Sequence, residues 1–209
     1  MTVIDVLRSA FRRNGLLVLA ISVAFFSIMT VSGAVTYLVL TSSGLANTIQ
    51  AWLESNAGYI AIPPPYTGGL YRLIFLNNIG HFWNPVRIWV WIPFIGAFDL
   101  GYELLVNAVV IGAVAAFVGI TKGPLYTAAG LLPHGVIEIP AFILEFTSLA
   151  RWHVSTTRAL YAKLSGQPVD RPLLREGIKD TVALSVVSVA MFAVAAYVET
   201  FVTPHLLGR

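Results

Sequence analysis

The sequence of 209 residues contains no cysteine, and only 11% of its residues are charged. The absence of cysteine excludes disulfide bonds, thiolate zinc sites and cysteine nucleophiles. Soluble domains carry about 25% charged residues, so 13 basic and 10 acidic residues are too few to cover a soluble protein of this size. The mean hydropathy is +0.78. This composition excludes a disordered chain, a coiled coil and a polar nucleic-acid-binding domain, argues against a soluble enzyme, and predicts an integral membrane protein.

Long apolar runs predict an all-α fold, a polytopic helical bundle in the membrane. A helix needs about 20 mostly apolar residues to cross the hydrocarbon core. We therefore predict a single membrane domain, residues 1–209, with about five transmembrane helices. These are residues 15–40, 71–98, 102–120, 125–150 and 181–202.

The segments between these runs are more polar. Residues 1–14 carry Val3, Leu7 and Phe11 on one helical face, which predicts a cytoplasmic interfacial helix. Residues 41–70 contain a triple proline and predict an external loop with a short amphipathic helix near residues 49–52. Residues 151–180 form a basic cytoplasmic segment.

The second predicted span is unusually polar for a membrane helix. One interpretation is a complete span that is kinked at Pro85. The alternative is a re-entrant or interfacial piece up to about Asn84, followed by a shorter span. A tight turn at residues 99–101 would then lead into the third span.

The distribution of basic residues predicts the orientation. Nine of the thirteen basic residues lie in residues 1–14 and 151–180, and cytoplasmic loops are the ones enriched in Lys and Arg. Five spans place both segments on the same side, whereas four spans would separate them. We therefore predict a multi-pass protein of the cell membrane with its N-terminus inside and its C-terminus outside.

Ionisable residues within the spans form a candidate site. Such a residue costs at least about 2.5 kcal/mol by insertion scales and needs a partner or a wet cavity. Helical spacing places His134, Glu138 and Glu145 on one face of the fourth span. Counted from the outer boundary, five residues can share one depth, with Glu145, Glu103 and Asp99 nearer the cytoplasm. The predicted polar layer consists of Asn77, His81, His134, Glu138 and Glu199.

This polar layer has three interpretations. It is a structural clamp between helices, a substrate or ion pathway, or a metal site in which His134 and Glu138 chelate a divalent ion that His81 or Glu199 completes. Pro133 and Pro140 flank the His134–Glu138 pair and predict helix breaks there.

Small residues in the third span predict close helix packing. Ala108, Gly112 and Ala116 are spaced four residues apart, and such stripes let another helix approach closely.

Three sequence segments resemble one family. LPHGVIEIPA, residues 132–141, is very similar to the PHG-x-x-E-[IL]-PA signature of the stage II sporulation protein M family. FLNN at residues 75–78 and AAYVETFVTP at residues 195–204 resemble two further segments of that family in order and spacing. The characteristic polar residues of the family fall on Asn77, His134, Gly135, Glu138 and Glu199.

The resemblance implies an integral membrane scaffold that works with partner proteins in remodelling the cell envelope. We therefore expect a small membrane scaffold or complex subunit that acts through other membrane or envelope proteins, or through a second copy of itself. The alternative is a permease or channel-like subunit with a polar pathway around His134 and Glu138. The sequence contains neither a catalytic triad nor a P-loop, so we expect no enzyme activity, no cofactor and no nucleic-acid partner. An intramembrane metal-dependent enzyme is the third interpretation of the function.

Overall fold

Long helices dominate the computed structural model, which describes residues 2–56 and 62–208. Of these described residues 88% are helical, and none of them lies in a strand. The α-helices are α1 (Val3–Ser43), α2 (Leu45–Asn56), α3 (Gly68–Asn78), α4 (Gly80–Trp83), α5 (Ile95–Lys122), α6 (Pro124–Leu164), α7 (Arg171–Tyr197) and α8 (Thr203–Leu206). A 3₁₀ turn, Ile88–Trp91, precedes α5, and a π-helical turn, Val198–Val202, joins α7 to α8. The predicted all-α class is confirmed.

Within the two described ranges, four helical segments are long and apolar enough to cross a membrane. They are α1, α5, α6 and the continuous stretch Arg171–Leu206. Residues 71–98 are not one continuous helix: α3 ends at Asn78, α4 ends at Trp83, and Asn84 is extended with ψ 121°. That this interrupted segment crosses the membrane stays a prediction. Asn84 precedes Pro85, and a residue before proline is disfavoured in the helical region.

The turn before the next long helix lies earlier than predicted. Residues 99–101 are helical within α5, and the chain reverses at Phe94, whose φ is +68°. In the first turn of α5, Gly96 approaches the backbone of Val90 so closely that a Cβ atom would overlap the Val90 carbonyl oxygen. The turn is compact because Gly96 has no side chain.

The helix ends follow from local sequence. Residues 3–14 are helical and continue without interruption into the first apolar stretch as part of α1; their interfacial position stays a prediction. It begins with a reciprocal cap in which Asp5 accepts from the Thr2 backbone N–H at 2.8 Å and Thr2 Oγ1 accepts from the Asp5 N–H at 3.2 Å. Between α5 and α6, Gly123 has φ +92° and Pro124 starts the next helix, which is the usual placement of Gly after a helix and Pro at its first position.

The two prolines of α6 do not break the helix. Pro133 and Pro140 both lie inside the continuous helix Pro124–Leu164, so the predicted breaks are wrong. A proline inside a helix removes one backbone donor, and its ring presses against the carbonyl four residues earlier, which favours a kink or a break. The remaining turns on either side keep α6 continuous.

Contacts between residues divide the chain into two compact units. The first unit comprises Met1–Val23, Asn78–Leu104 and Glu138–Phe192, and the second comprises Ala24–Asn77, Leu105–Ile137 and Ala193–Arg209. Both basic segments identified in the sequence belong to the first unit.

Apolar packing and hydroxyl groups hold the first unit together. Its core contains Ala10, Leu144, Ala183 and Leu184. Helices α6 and α7 are also linked by hydroxyl groups: Ser188 Oγ donates to the Ala141 carbonyl at 2.8 Å, and Thr181 Oγ1 lies 3.2 Å from the Ser148 carbonyl. Hydrogen bonds of this kind are typical of helix contacts in membranes.

The second unit contains a very close contact between α1 and α5. Ala108 and Gly112 are buried, and a Cβ atom at Gly112 would overlap the carbonyl oxygen of Met29 and lie 3.0 Å from the backbone N of Gly33. Ser32 Oγ donates to the Val109 carbonyl at 3.3 Å. The small-residue stripe of α5 therefore faces α1, and Gly33 is its counterpart on α1.

The predicted orientation is testable by labelling because the chain has no native cysteine. We expect single cysteines at positions 56 and 206 to react with a membrane-impermeant maleimide added outside intact cells, and a cysteine at position 167 to stay unlabelled until the cells are opened. Position 167 lies in the turn between α6 and α7, in the middle of the basic segment. External labelling at 167 would show that the orientation is inverted.

Candidate functional site

His81 is the centre of a buried polar cluster in the first unit. The histidine and Glu145 are both 0% exposed, and Nδ1 of His81 lies 3.0 Å from Oε1 of Glu145. Glu103 Oε2 accepts a hydrogen bond from Arg87 at 3.1 Å, and its Oε1 lies 3.8 Å from Nε2 of His81. We call these four residues the His81 cluster.

The charges of the His81 cluster balance one another. His81 and Arg87 are two basic side chains that face the two acidic side chains Glu103 and Glu145. Buried charges are stable only when they are paired and hydrogen-bonded in this way.

Two tryptophans support the backbone that carries His81. Trp91 Nε1 donates to the His81 carbonyl oxygen at 2.7 Å, and Trp152 Nε1 donates to the Trp91 carbonyl oxygen at 2.8 Å. The two indole rings meet edge to face, with their centroids 5.5 Å apart. The short, irregular segment between α3 and α5 is thus attached to α6 by directional contacts, which satisfy carbonyl groups that no helix satisfies.

Glu138 contacts the end of α3. Its Oε1 accepts a hydrogen bond from Nδ2 of Asn78 at 2.8 Å within the first unit. Asn77, which we predicted from the FLNN segment, is the preceding residue and belongs to the second unit. Asn78 is buried and is the last residue of α3.

His134 and Glu199 form a second candidate cluster, in the second unit. His134 Nδ1 lies 3.3 Å from the hydroxyl oxygen of Thr203. A ring nitrogen of His134 and a carboxylate oxygen of Glu199 lie within 4.8 Å of one another. Imidazole and carboxylate groups at this separation are able to share a divalent cation.

A π-helical turn carries Glu199 into this cluster. Pro204 lacks a backbone N–H, so the carbonyl of Thr200, four residues earlier, loses its helical donor. That carbonyl oxygen accepts instead from the backbone N–H of Tyr66 at 3.2 Å. The helix continues for one further turn as α8 beyond the predicted end of the fifth span. π-helical turns of this kind are frequent at functional sites.

Residues of the predicted polar layer make the following contacts within each unit. His81 contacts Glu145 and lies near Glu103, two residues that we predicted to lie nearer the cytoplasm. Glu138 contacts Asn78. His134 contacts Thr203 and lies near Glu199. The helix is interrupted at Ile79, between Asn77 and His81. The four-residue spacing of Asn77 and His81 therefore does not place them on one helical face.

A third cluster was not anticipated from the sequence. Asp180 is 0% exposed and accepts hydrogen bonds from Arg13 and from Asn14 Nδ2, the latter at 3.1 Å, while Arg151 Nε lies 3.5 Å from Oδ2. Arg13 also pairs with Glu176 at 2.9 Å. We call Asp180 with its three partners the Asp180 cluster. An acidic residue that directly precedes an apolar run, within a basic segment, was the sequence signal that could have revealed it.

The chain is similar in sequence to a curated protein and to a protein family. A protein of Methanocaldococcus jannaschii, named uncharacterized protein MJ0793, is 30% identical over 105 residues, which are 50% of this chain and 56% of that protein. The chain thus matches just over half the length of this curated relative. No solved structure matches the chain. The family described as stage II sporulation protein M matches residues 22–204, a range that includes all three resembling segments. The chain is therefore a membrane protein that belongs to the stage II sporulation protein M family.

Proposed function

We propose that this protein is a membrane scaffold or complex subunit, which acts through other membrane or envelope proteins or through a second copy of itself, and that it has no catalytic activity of its own. The observation that carries the proposal is the use of buried charges within the first unit. In the His81 cluster and the Asp180 cluster, each acidic side chain faces a histidine or an arginine. Side chains that are paired in this way stabilise the contacts between helices, and they are poorly available for binding a transported substrate.

The surface of the long helices supports a role in assembly. Only 6% of the residues in the most apolar stretch of α1, and 11% in that of α5, are buried within the chain. Val31 and Val35 of α1, for example, are 62% and 54% exposed. In a bilayer this surface is available to lipid and to the helices of partner proteins.

Site-specific photo-crosslinking tests this assembly in the native membrane. A photoreactive residue at Val31 or Val35 is expected to give a product of one defined mass that contains either a second protein or a second copy of the chain. Phe25 of the same helix is 0% exposed and is the matched control, because a probe there faces the interior. A crosslinking pattern that contains lipid alone at every exposed position of α1 and α5 would contradict the proposal.

A second candidate function, a permease or channel-like subunit, has its own supporting observation. His134 and Glu199 lie close together beside a π-helical turn, an arrangement that suits the binding of a cation or a proton. Glu138 lies one helical turn from His134 along α6, so Glu138 was predicted to line the same pathway.

Substitution of Glu138 distinguishes the two functions. For a scaffold, Glu138→Gln keeps an acceptor for Asn78 and is expected to cost about 1 kcal/mol or less, whereas Glu138→Leu leaves the Asn78 amide unsatisfied and costs about 1–3 kcal/mol. Thermal unfolding in detergent measures both values. For a permease, the purified wild-type protein would move protons or cations across liposomes, and Glu138→Gln would fold normally while abolishing that flux. Such a flux from the protein alone would reject the scaffold proposal.

A further inference from the structure

A basic cleft opens on the surface of the first unit, between the start of α7 and the N-terminal part of α1. Its volume is about 530 Å³, which lies within the range of about 300–1,000 Å³ that is common for small-molecule sites. The cleft is lined by Arg13, Arg171, Pro172, Arg175, Glu176 and Lys179.

The cations of the cleft are not balanced by its acidic residues. The carboxylates of Glu176 and Asp180 are both engaged by Arg13. The three other cations have no ion pair within the part of the chain that the structure describes, and all three are exposed. Arg171, Arg175 and Lys179 follow one another at intervals of four residues, so they form a stripe along one face of α7.

The position of the cleft along the chain places it at the edge of the bilayer. Arg13 precedes the uncharged run of residues 15–40 by two positions, and Lys179 precedes the apolar run of residues 181–198 by two positions. Both helices thus enter the hydrocarbon region at the cleft. The phosphate groups of the lipids lie at this depth, and basic pockets beside membrane helices bind anionic headgroups there.

We propose that this cleft binds the headgroup of an anionic phospholipid, whose phosphate is held by Arg171, Arg175 and Lys179. Arg13 forms the inner wall, where its pairing with Asp180 and Glu176 fixes the guanidinium in place. A general excess of positive charge on the cytoplasmic side would orient the protein equally well with the same cations anywhere in the basic segment. The proposal differs because it requires the cations of the cleft in particular.

Two double variants with the same loss of charge separate these possibilities. Arg175→Gln with Lys179→Gln removes two cations from the cleft, and the control Arg158→Gln with Lys163→Gln removes two exposed cations of the same basic segment that lie outside it. Binding of phosphatidylglycerol to the full-length protein in detergent is measured by native mass spectrometry, with phosphatidylcholine as the neutral lipid. The cleft variant is expected to bind phosphatidylglycerol about tenfold more weakly than the wild type, and the control within about twofold.

Several outcomes would overturn the proposal. Equal weakening in both double variants indicates a diffuse basic surface, and unchanged binding in both shows that the cleft does not take the lipid. Displacement of phosphatidylglycerol by millimolar inorganic phosphate would identify a site for the free anion. The melting temperature without added lipid checks that each variant is folded, and the single variants Arg175→Gln and Arg158→Gln repeat the comparison with one charge removed.

Discussion

Replacing Gly112 by alanine is expected to destabilise the protein by about 2 kcal/mol, because the added methyl group would overlap the Met29 carbonyl oxygen of α1. The obstacle is backbone, so no side-chain rotation relieves it and the two helices must separate. For a chain of this length, this free energy corresponds to a melting temperature lower by several degrees. Gly112→Leu is expected to be more severe and to change the elution volume in detergent. Thermal unfolding and size-exclusion chromatography measure the two effects.

Gly101 provides the control on the same helix. A Cβ atom at Gly101 meets nothing within 4 Å, and alanine is favoured over glycine inside a helix by about 0.5–1 kcal/mol. Gly101→Ala should therefore leave the melting temperature unchanged or raise it slightly. If Gly112→Ala melts like Gly101→Ala, the contact between α1 and α5 contributes nothing to stability.

Replacing Asp180 by alanine is expected to cost about 3–5 kcal/mol, the largest loss among the single substitutions considered. Removal of one member of a buried ion pair leaves the other charges without compensation. Here the side chains left behind are Arg13, Asn14 and Arg151, which come from α1 and α6. Asp180→Asn keeps the shape and part of the hydrogen bonding, so an intermediate loss is expected. Thermal unfolding in detergent at neutral pH compares the stability of the wild type, Asp180→Ala and Asp180→Asn.

Glu176 is the matched control for this experiment. It contacts the same Arg13, but its side chain is 40% exposed, and solvent-exposed pairs contribute about 0–1 kcal/mol. Glu176→Gln should therefore melt within a few degrees of the wild type. Similar losses for Glu176→Gln and Asp180→Ala would indicate that burial of Asp180 adds nothing.

The apolar runs predicted the long helices because a helix that faces lipid must be apolar over its whole length. The small-residue stripe around Gly112 was also visible in the sequence, since its spacing repeats every helical turn. Its counterpart, Gly33 on α1, was not, because single glycines in apolar helices are common and contacts between distant segments leave no local periodicity.

The polar contacts could be predicted only in part. We predicted that His81, His134 and Glu138 belong to the polar layer because exposing these side chains to lipid costs free energy. Their grouping depended on the helical phase of residues 71–98, and one interruption at Ile79 was enough to pair His81 with Glu145. The ladder of Ser148, Thr181 and Ser188 was missed because hydroxyl groups of membrane helices often bond to their own backbone.

The uninterrupted length of α6 has a mechanical consequence. Its 41 residues span about 60 Å at a rise of about 1.5 Å per residue, whereas the hydrocarbon core is about 30 Å thick. About half of the helix therefore extends beyond the hydrocarbon, and the part from Glu138 to Leu164, within the first unit, continues as one helical rod. Residues 151–164 carry the basic end of this rod, so a force applied there tilts the part of α6 that holds Glu138 and Glu145.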